Sequence, residues 1–173
     1  MRFIINLLAA FAFILTVSVS INAQSWKPDP MKSAVVDKLI GTWTSEPHDF
    51  MGSSRTDVVT HSLRHNGQYM VIDASSTSTE GVTYTGTLFI TVDKSGNING
   101  WGFGDFGGVT TYTGKTEGDN KISVTGVSEK GGTETRDIVI TGDKMVHNVS
   151  FTMKGADGKD MTAKMVITFN KNK

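Results

Sequence analysis

Leu63-Arg64-His65-Asn66-Gly67-Gln68-Tyr69-Met70-Val71 is the stretch that decides the fold. Asn66 and Gly67 both tolerate the positive φ that a type I′ turn requires, so the runs on either side read as two strands of a hairpin. Working outward, residues 55–65 and 68–78 are rich in Val, Ile, Thr and aromatics, the types that suit a pleated, half-buried surface. The same texture continues to the C-terminus. Glu80-Gly81, Asp93-Lys94-Ser95-Gly96, Glu117-Gly118-Asp119-Asn120, Gly131-Gly132, Gly142-Asp143 and Gly155-Ala156-Asp157-Gly158 punctuate it with turn-forming residues. The runs between them predict about ten strands, over 42–50, 55–65, 68–78, 82–92, 97–105, 108–116, 121–129, 133–141, 144–153 and 159–170. Short connections make sequence neighbours sheet neighbours. Such a sheet would expose two edges unless it closed on itself. The expected fold is all-β: an up-and-down antiparallel β-barrel. The 19 glycines agree, because strongly coiled strands need corners without a Cβ.

Upstream of the strands, Asp29 and Pro30 read as an N-cap and a first helical residue. Met31, Val35 and Leu39 follow at a spacing of four, and Gly41 ends the pattern. One short amphipathic helix over 31–40 is predicted. Residues 24–30 form a polar, proline-broken leader.

The first 23 residues have a different texture. Met1-Arg2 is a short positive start, Phe3 to Val19 is an almost unbroken apolar run, and Ala23 supplies a small residue before Gln24. This is the three-part layout of a secretory signal peptide. The run is short for a membrane span and is interrupted by Asn6, Thr16 and Ser18. Cleavage after Ala23 is expected, leaving no stable membrane anchor and a periplasmic or secreted protein. The chain has no cysteine, so its core alone must hold it, which suits a bacterial periplasm.

Lys and Arg total 17 against 17 Asp and Glu, and the signal carries only Arg2 among them. The remainder is near neutral with scattered charge, unlike the basic footprint of a nucleic-acid binder. Residues 31–173 fit one domain with a sizeable core.

Several apparent motifs fail on geometry. Gly102-Phe103-Gly104-Asp105-Phe106-Gly107 matches the phosphate-cradling G-x-G-x-x-G, but no helix follows to face a phosphate. His61 and His65 would lie about 13 Å apart on a strand and could not share an ion. No catalytic motif and no metal site emerges. The informative pattern is period-two alternation. Met145, His147, Val149, Phe151 and Met153 share one face of the ninth strand, and Met161, Ala163, Met165, Ile167 and Phe169 one face of the tenth. His61 falls in phase with Val59 and Leu63, and Tyr84 with Leu88 and Ile90. Trp101 and Phe103 share one face of the glycine-rich fifth strand, with Gly100, Gly102 and Gly104 on the other. The candidate ligand-binding set is therefore His61, Tyr84, Trp101, Phe103, His147, Phe151 and Met165, expected to border an internal cavity.

Gly41-Thr42-Trp43, directly after the helix and opening the first strand, resembles the Gly-x-Trp signature of the calycin superfamily, in its lipocalin-like and nitrobindin-like bacterial forms. The resemblance implies that Gly41 and Trp43 are structural, with the indole packed beneath the helix at the barrel's closed end. It also implies a ligand held inside. The chain departs from fatty-acid-binding proteins in two respects: Glu46 to Arg55 leaves room only for a loop, and Met165 to Phe169 contains no arginine. Three readings stay open at this level. The leading one is an exported binding protein for a small apolar or amphipathic molecule, since ten strands enclose more than their own side chains fill. The second is a nitrobindin-like haem barrel or haem-dependent enzyme with His147 as axial ligand. The third is a filled barrel acting through its surface as an envelope accessory protein.

Overall fold

The computed structural model describes residues 30–105, 107–155 and 158–173. The expected signal peptide over 1–23, its cleavage site and most of the leader lie outside these residues. Among the described residues one helix, α1 (Ala34–Leu39), precedes eleven strand segments. These are β1 (Gly41–Ser45), β2 (His48–Phe50), β3 (Ser53–Arg64), β4 (Tyr69–Ser78), β5 (Thr83–Val92) and β6 (Asn97–Gly104), followed by β7 (Val109–Glu117), β8 (Lys121–Ser128), β9 (Thr133–Thr141), β10 (Lys144–Lys154) and β11 (Asp160–Lys171).

Consecutive segments from β3 to β11 pair antiparallel, and β1 closes the ring. It pairs with β11 through Trp43↔Lys171 and with β3 through Gly41↔His61. The result is a closed ten-stranded meander, because β1 and β2 are two pieces of one first strand. The sequence pattern predicted a single strand over 42–50. The break falls at Glu46-Pro47, where proline has no N–H to give a ladder. Beyond it β2 pairs only with β3, in a hairpin turned at Met51 (φ 55°) and Gly52 (φ 82°). No helix is inserted between the first two strands.

The Asn66-Gly67 turn is present with the expected positive φ, but His65 joins it at φ 51°. Arg64 pairs with Tyr69, so the connection is a four-residue loop rather than a two-residue turn. The helix is also shorter than the predicted 31–40. It starts at Ala34, with Ser33 as an N-cap lacking a side-chain bond. Tertiary contacts explain the late start. The Met31 N–H donates to the Gly67 carbonyl at 2.8 Å, and the Met31 sulfur accepts the Val92 N–H at 3.0 Å. Those bonds hold residues 31–33 against the barrel in a non-helical path.

The helix plugs one end of the barrel. Val35, Val36 and Leu39 pack with Trp43, Met70, Ile90, Ile98, Ile122, Ile140, Met145 and Phe169 into a buried cluster drawn from most of the strands. Trp43 is fully buried, and its indole N–H donates to the Leu39 carbonyl at 2.7 Å, satisfying a helix-end acceptor. The Lys171 ammonium lies 5.1 Å from the indole centre and donates to the Lys38 carbonyl at 3.1 Å. Gly41 adopts φ +120°, and a Cβ there would press on Lys171 Cε at 3.1 Å. Glycine at 41 and tryptophan at 43 are thus both dictated by the way the helix seats on the strands.

Candidate functional site

Strand pairing fixes which side chains point inward, because directly opposed residues share a face. Starting from buried Trp43, the register runs through Val59, Ala74, Gly86 and Gly104. Around the other side it runs from Phe169 to Met145 and Ile140, and in parallel from Ile167 to His147, Ile138 and Ile122. The inward set divides in two. Near α1 the side chains are fully buried. Beyond that layer Ile72, Ala74, Leu88, Val124, Ile138 and Met165 face the same lumen yet stay only partly buried. Inward-pointing side chains in a closed barrel remain accessible only where the lumen is not filled. The inner face is sealed at the helix end and accessible toward the other.

Of the seven candidates from sequence, five lie on this inner face: His61, Tyr84, His147, Phe151 and Met165. The other two do not. Trp101 and Phe103 stand on the outer wall, 44% and 48% exposed, so the expectation that they border the internal cavity is corrected. The cause is steric. Gly100 opposes inward Ile90, and Gly102 opposes inward Leu88. A Cβ at Gly100 would collide with Cδ1 of Ile90, and one at Gly102 would reach the Tyr112 ring at 3.0 Å. Glycines must take the crowded inner phase, and the aromatics fall outside. There Phe103 makes an edge contact with Phe89, centroids 6.3 Å apart, beside an outer cleft of about 540 Å³ that also includes Asp73, Thr87 and Asp105.

The inner face carries more charge than apolar alternation suggested. Arg136 and Glu134, two apart on β9, form an ion pair at 2.9 Å. Both lie in phase with inward Ile138 and Ile140, the signal by which the sequence could have revealed them. Arg136 Nη1 also donates to Nδ1 of His147 at 3.1 Å. Burial is the largest single influence on Arg136 and opposes its charge, but the charge and hydrogen bond of Glu134, with Tyr112 and Asp57, together outweigh it and keep the guanidinium protonated. Arg136 nevertheless shows 29% of its side-chain surface. A group so enclosed and still accessible lines internal space. Tyr112 lies flat against the wall, its ring over Gly102 and Gly126. Burial, reinforced by Glu134, pushes its hydroxyl up to about 12, so it stays a neutral donor.

A second polar group sits nearer β2. Arg55, 5% exposed, donates to Ser76 Oγ, the Ser76 carbonyl and the Val82 carbonyl, and stacks 4.8 Å from the Tyr84 ring centre. His48 Nε2 lies 3.5 Å from Asp57 Oδ2, and Phe50 packs on Phe151 with centroids 5.3 Å apart. The β2 segment therefore leans over Phe151 on the inner face.

Both inner histidines are held neutral. Burial, then the Lys171 charge, lowers His61 to about 4 against a hydrogen bond with the Gly41 backbone. Burial, then Arg136, then His61 lowers His147 well below the ordinary value. Among the described residues, Nδ1 of His61, Nε2 of His147 and Oδ1 of Asp57 are buried without a hydrogen-bond partner. A guanidinium can only donate. Arg136 therefore takes the lone pair of His147 Nδ1 and leaves the ring proton on Nε2. A haem held through Nε2 of His147 does not fit this arrangement, since that nitrogen offers a proton where iron needs a lone pair.

No protein-family model matches the chain, and no curated protein matches it. Solved structures do. The chain is similar to the crystal structure of Rv2717c from M. tuberculosis, at 13% identity and a TM-score of 0.61, covering 83% of this chain and 99% of that one. It is also similar to the S-type phycobiliprotein lyase CPES from Guillardia theta, at 9% identity and a TM-score of 0.58, covering 80% and 90%. At these identities the likeness is one of fold alone.

Proposed function

We propose that this protein is an exported binding protein that holds a small, largely apolar or amphipathic molecule in the open half of its barrel. The observation that carries the reading is the inner face itself. Apolar side chains there remain accessible, and buried polar atoms among them lack partners. Buried polar groups in folded proteins are ordinarily hydrogen-bonded, so such atoms mark a place where something else bonds. A concave, mainly apolar space with a few placed polar groups is the usual form of a small-molecule site. Export rests on the signal-like residues 1–23, which would deliver a chain starting at Gln24.

The test uses the exported protein. Native mass spectrometry should find the intact mass of a chain beginning at Gln24, together with a non-protein mass lost on denaturation. Nile red should brighten on mixing with the stripped protein. Ala74→Trp, which fills the lumen between inward Val59 and Gly86, should abolish that signal while circular dichroism stays β. A folded protein that neither carries a small molecule nor binds Nile red would overturn the reading.

A further inference from the structure

We infer that the outer wall of the barrel carries a second site, separate from the lumen, for organic ammonium ligands: molecules with amine charges on a flat or apolar body. Strand register builds it. On the outward face Asp73 of β4 stands opposite Thr87 of β5, and Thr87 opposite Phe103 of β6. Two residues back along β5, Thr85 bonds Asp105, which follows β6 directly. Together with Val58 of β3, these side chains border one open cleft of about 540 Å³. Both carboxylates are tied to the middle strand. The Thr87 hydroxyl donates to Asp73 Oδ1 at 2.7 Å, and the Thr85 N–H and hydroxyl donate to Asp105 Oδ2 at 2.6 and 2.9 Å. Residues two apart on a strand lie about 7 Å apart, so the anchors hold the two acids at a set span. Asp73 Oδ2 and Asp105 Oδ1 receive no hydrogen bond from the described residues.

Charge selects the ligand class. The cleft is bordered by two carboxylates and by no lysine or arginine. Lys130 lies across Gly107 and Gly108, beside Glu129, and does not border the cleft. An anion would meet two like charges and no cation. An ammonium group satisfies several needs together, because it brings N–H donors to the free carboxylate oxygens and positive charge to an aromatic ring. Phe103 is 48% exposed and Val58 37%, so ring and apolar surface are both available to the body of such a ligand. A neutral diol has the donors without the charge, which makes it the telling control.

Three rigid probes of one shape test this by amide-shift NMR titration of the folded protein: the dication of 1,4-bis(aminomethyl)benzene, neutral 1,4-benzenedimethanol and the terephthalate dianion. The dication should move the amide signals of Thr85, Thr87, Phe103 and Asp105. It should bind at least about fivefold tighter than the diol, and terephthalate should leave those signals still. Asp73→Asn and Asp105→Asn keep an acceptor for the threonines, and each should weaken the dication about threefold while sparing the diol. Phe103→Leu should weaken the dication as well, whereas Phe151→Ala in the lumen should not. Equal binding of dication and diol would overturn the inference, as would a dication indifferent to both asparagine variants. Shifts confined to lumen residues such as Met165 would also overturn it. Nile red binding in the lumen is a separate readout, so either reading can fail without the other.

Discussion

Arg136 on β9 donates to Nδ1 of His147 on β10 across 3.1 Å, while its Nε is paired with Glu134 at 2.9 Å. One side chain thus neutralises an internal carboxylate and sets the tautomer of an internal imidazole.

Removing that side chain should have a distinctive cost. A buried charge left without its partner typically costs about 3–5 kcal/mol, and partial accessibility here reduces this to about 2–3 kcal/mol for Arg136→Met. Glu134→Gln in the same background should return most of the loss, since no lone carboxylate remains. Urea denaturation of the two single variants and the double variant measures this. A double variant no more stable than Arg136→Met alone would contradict the coupling.

The two neutral histidines predict an acid-sensitive fold. An unfolded histidine takes up a proton near pH 6.5, whereas folded His61 does so only near 4, and His147 is lowered in the same direction. Unfolding therefore binds protons in this interval. The stability owed to these rings is complete above about pH 6.5 and is lost as pH falls toward 4, by up to about 1.4 kcal/mol per unit for each histidine. Urea midpoints between about pH 7.5 and 5 should fall accordingly, and His61→Leu with His147→Phe should flatten the slope. Midpoints that hold steady over that range in the wild type would refute the assignment.

Trp43 should matter through both its volume and its N–H. Trp43→Ala should cost about 3–5 kcal/mol for the cavity it leaves. Trp43→Phe keeps much of the ring but strands the Leu39 carbonyl, and should cost about 1–3 kcal/mol. Thermal and chemical denaturation would both report this. A cost near zero for the alanine variant would mean that the helix does not depend on the indole.

The outward pair Trp101 and Phe103 should be separable from the lumen. Trp101→Ser, at a half-exposed site, should change stability by less than about 1 kcal/mol. Phe103→Ser also loses the Phe89 contact, worth about 0.5–1.5 kcal/mol. Neither should alter Nile red binding, whereas Phe151→Ala on the inner face should weaken it. Equal loss of binding from Trp101→Ser and Phe151→Ala would show the dye seated on the outer wall.

What the sequence determined by itself is what depends on local chemistry. Turn residues and period-two alternation need only neighbours along the chain, so the antiparallel meander and its closure could be read in advance, while the seat of Trp43 beneath the helix was what the Gly-x-Trp resemblance implied. Alternation likewise placed His61 and His147 on one face with apolar residues. Tertiary structure decided the rest. Which face of the Gly100-to-Gly104 strand turns inward depends on Ile90 and Tyr112 reaching across from β5 and β7, and no pattern within the strand records those collisions. The helix start depends on Met31 bonding residues 36 and 61 positions away. The candidate site is the clearest case. Arg136 and Glu134 share the phase of Ile138 and Ile140, yet a charged pair inside a barrel is tolerable only when the fold brings a counter-charge and an imidazole lone pair within reach. Alternation can place a residue on a face, but only closure of the sheet decides what that face meets.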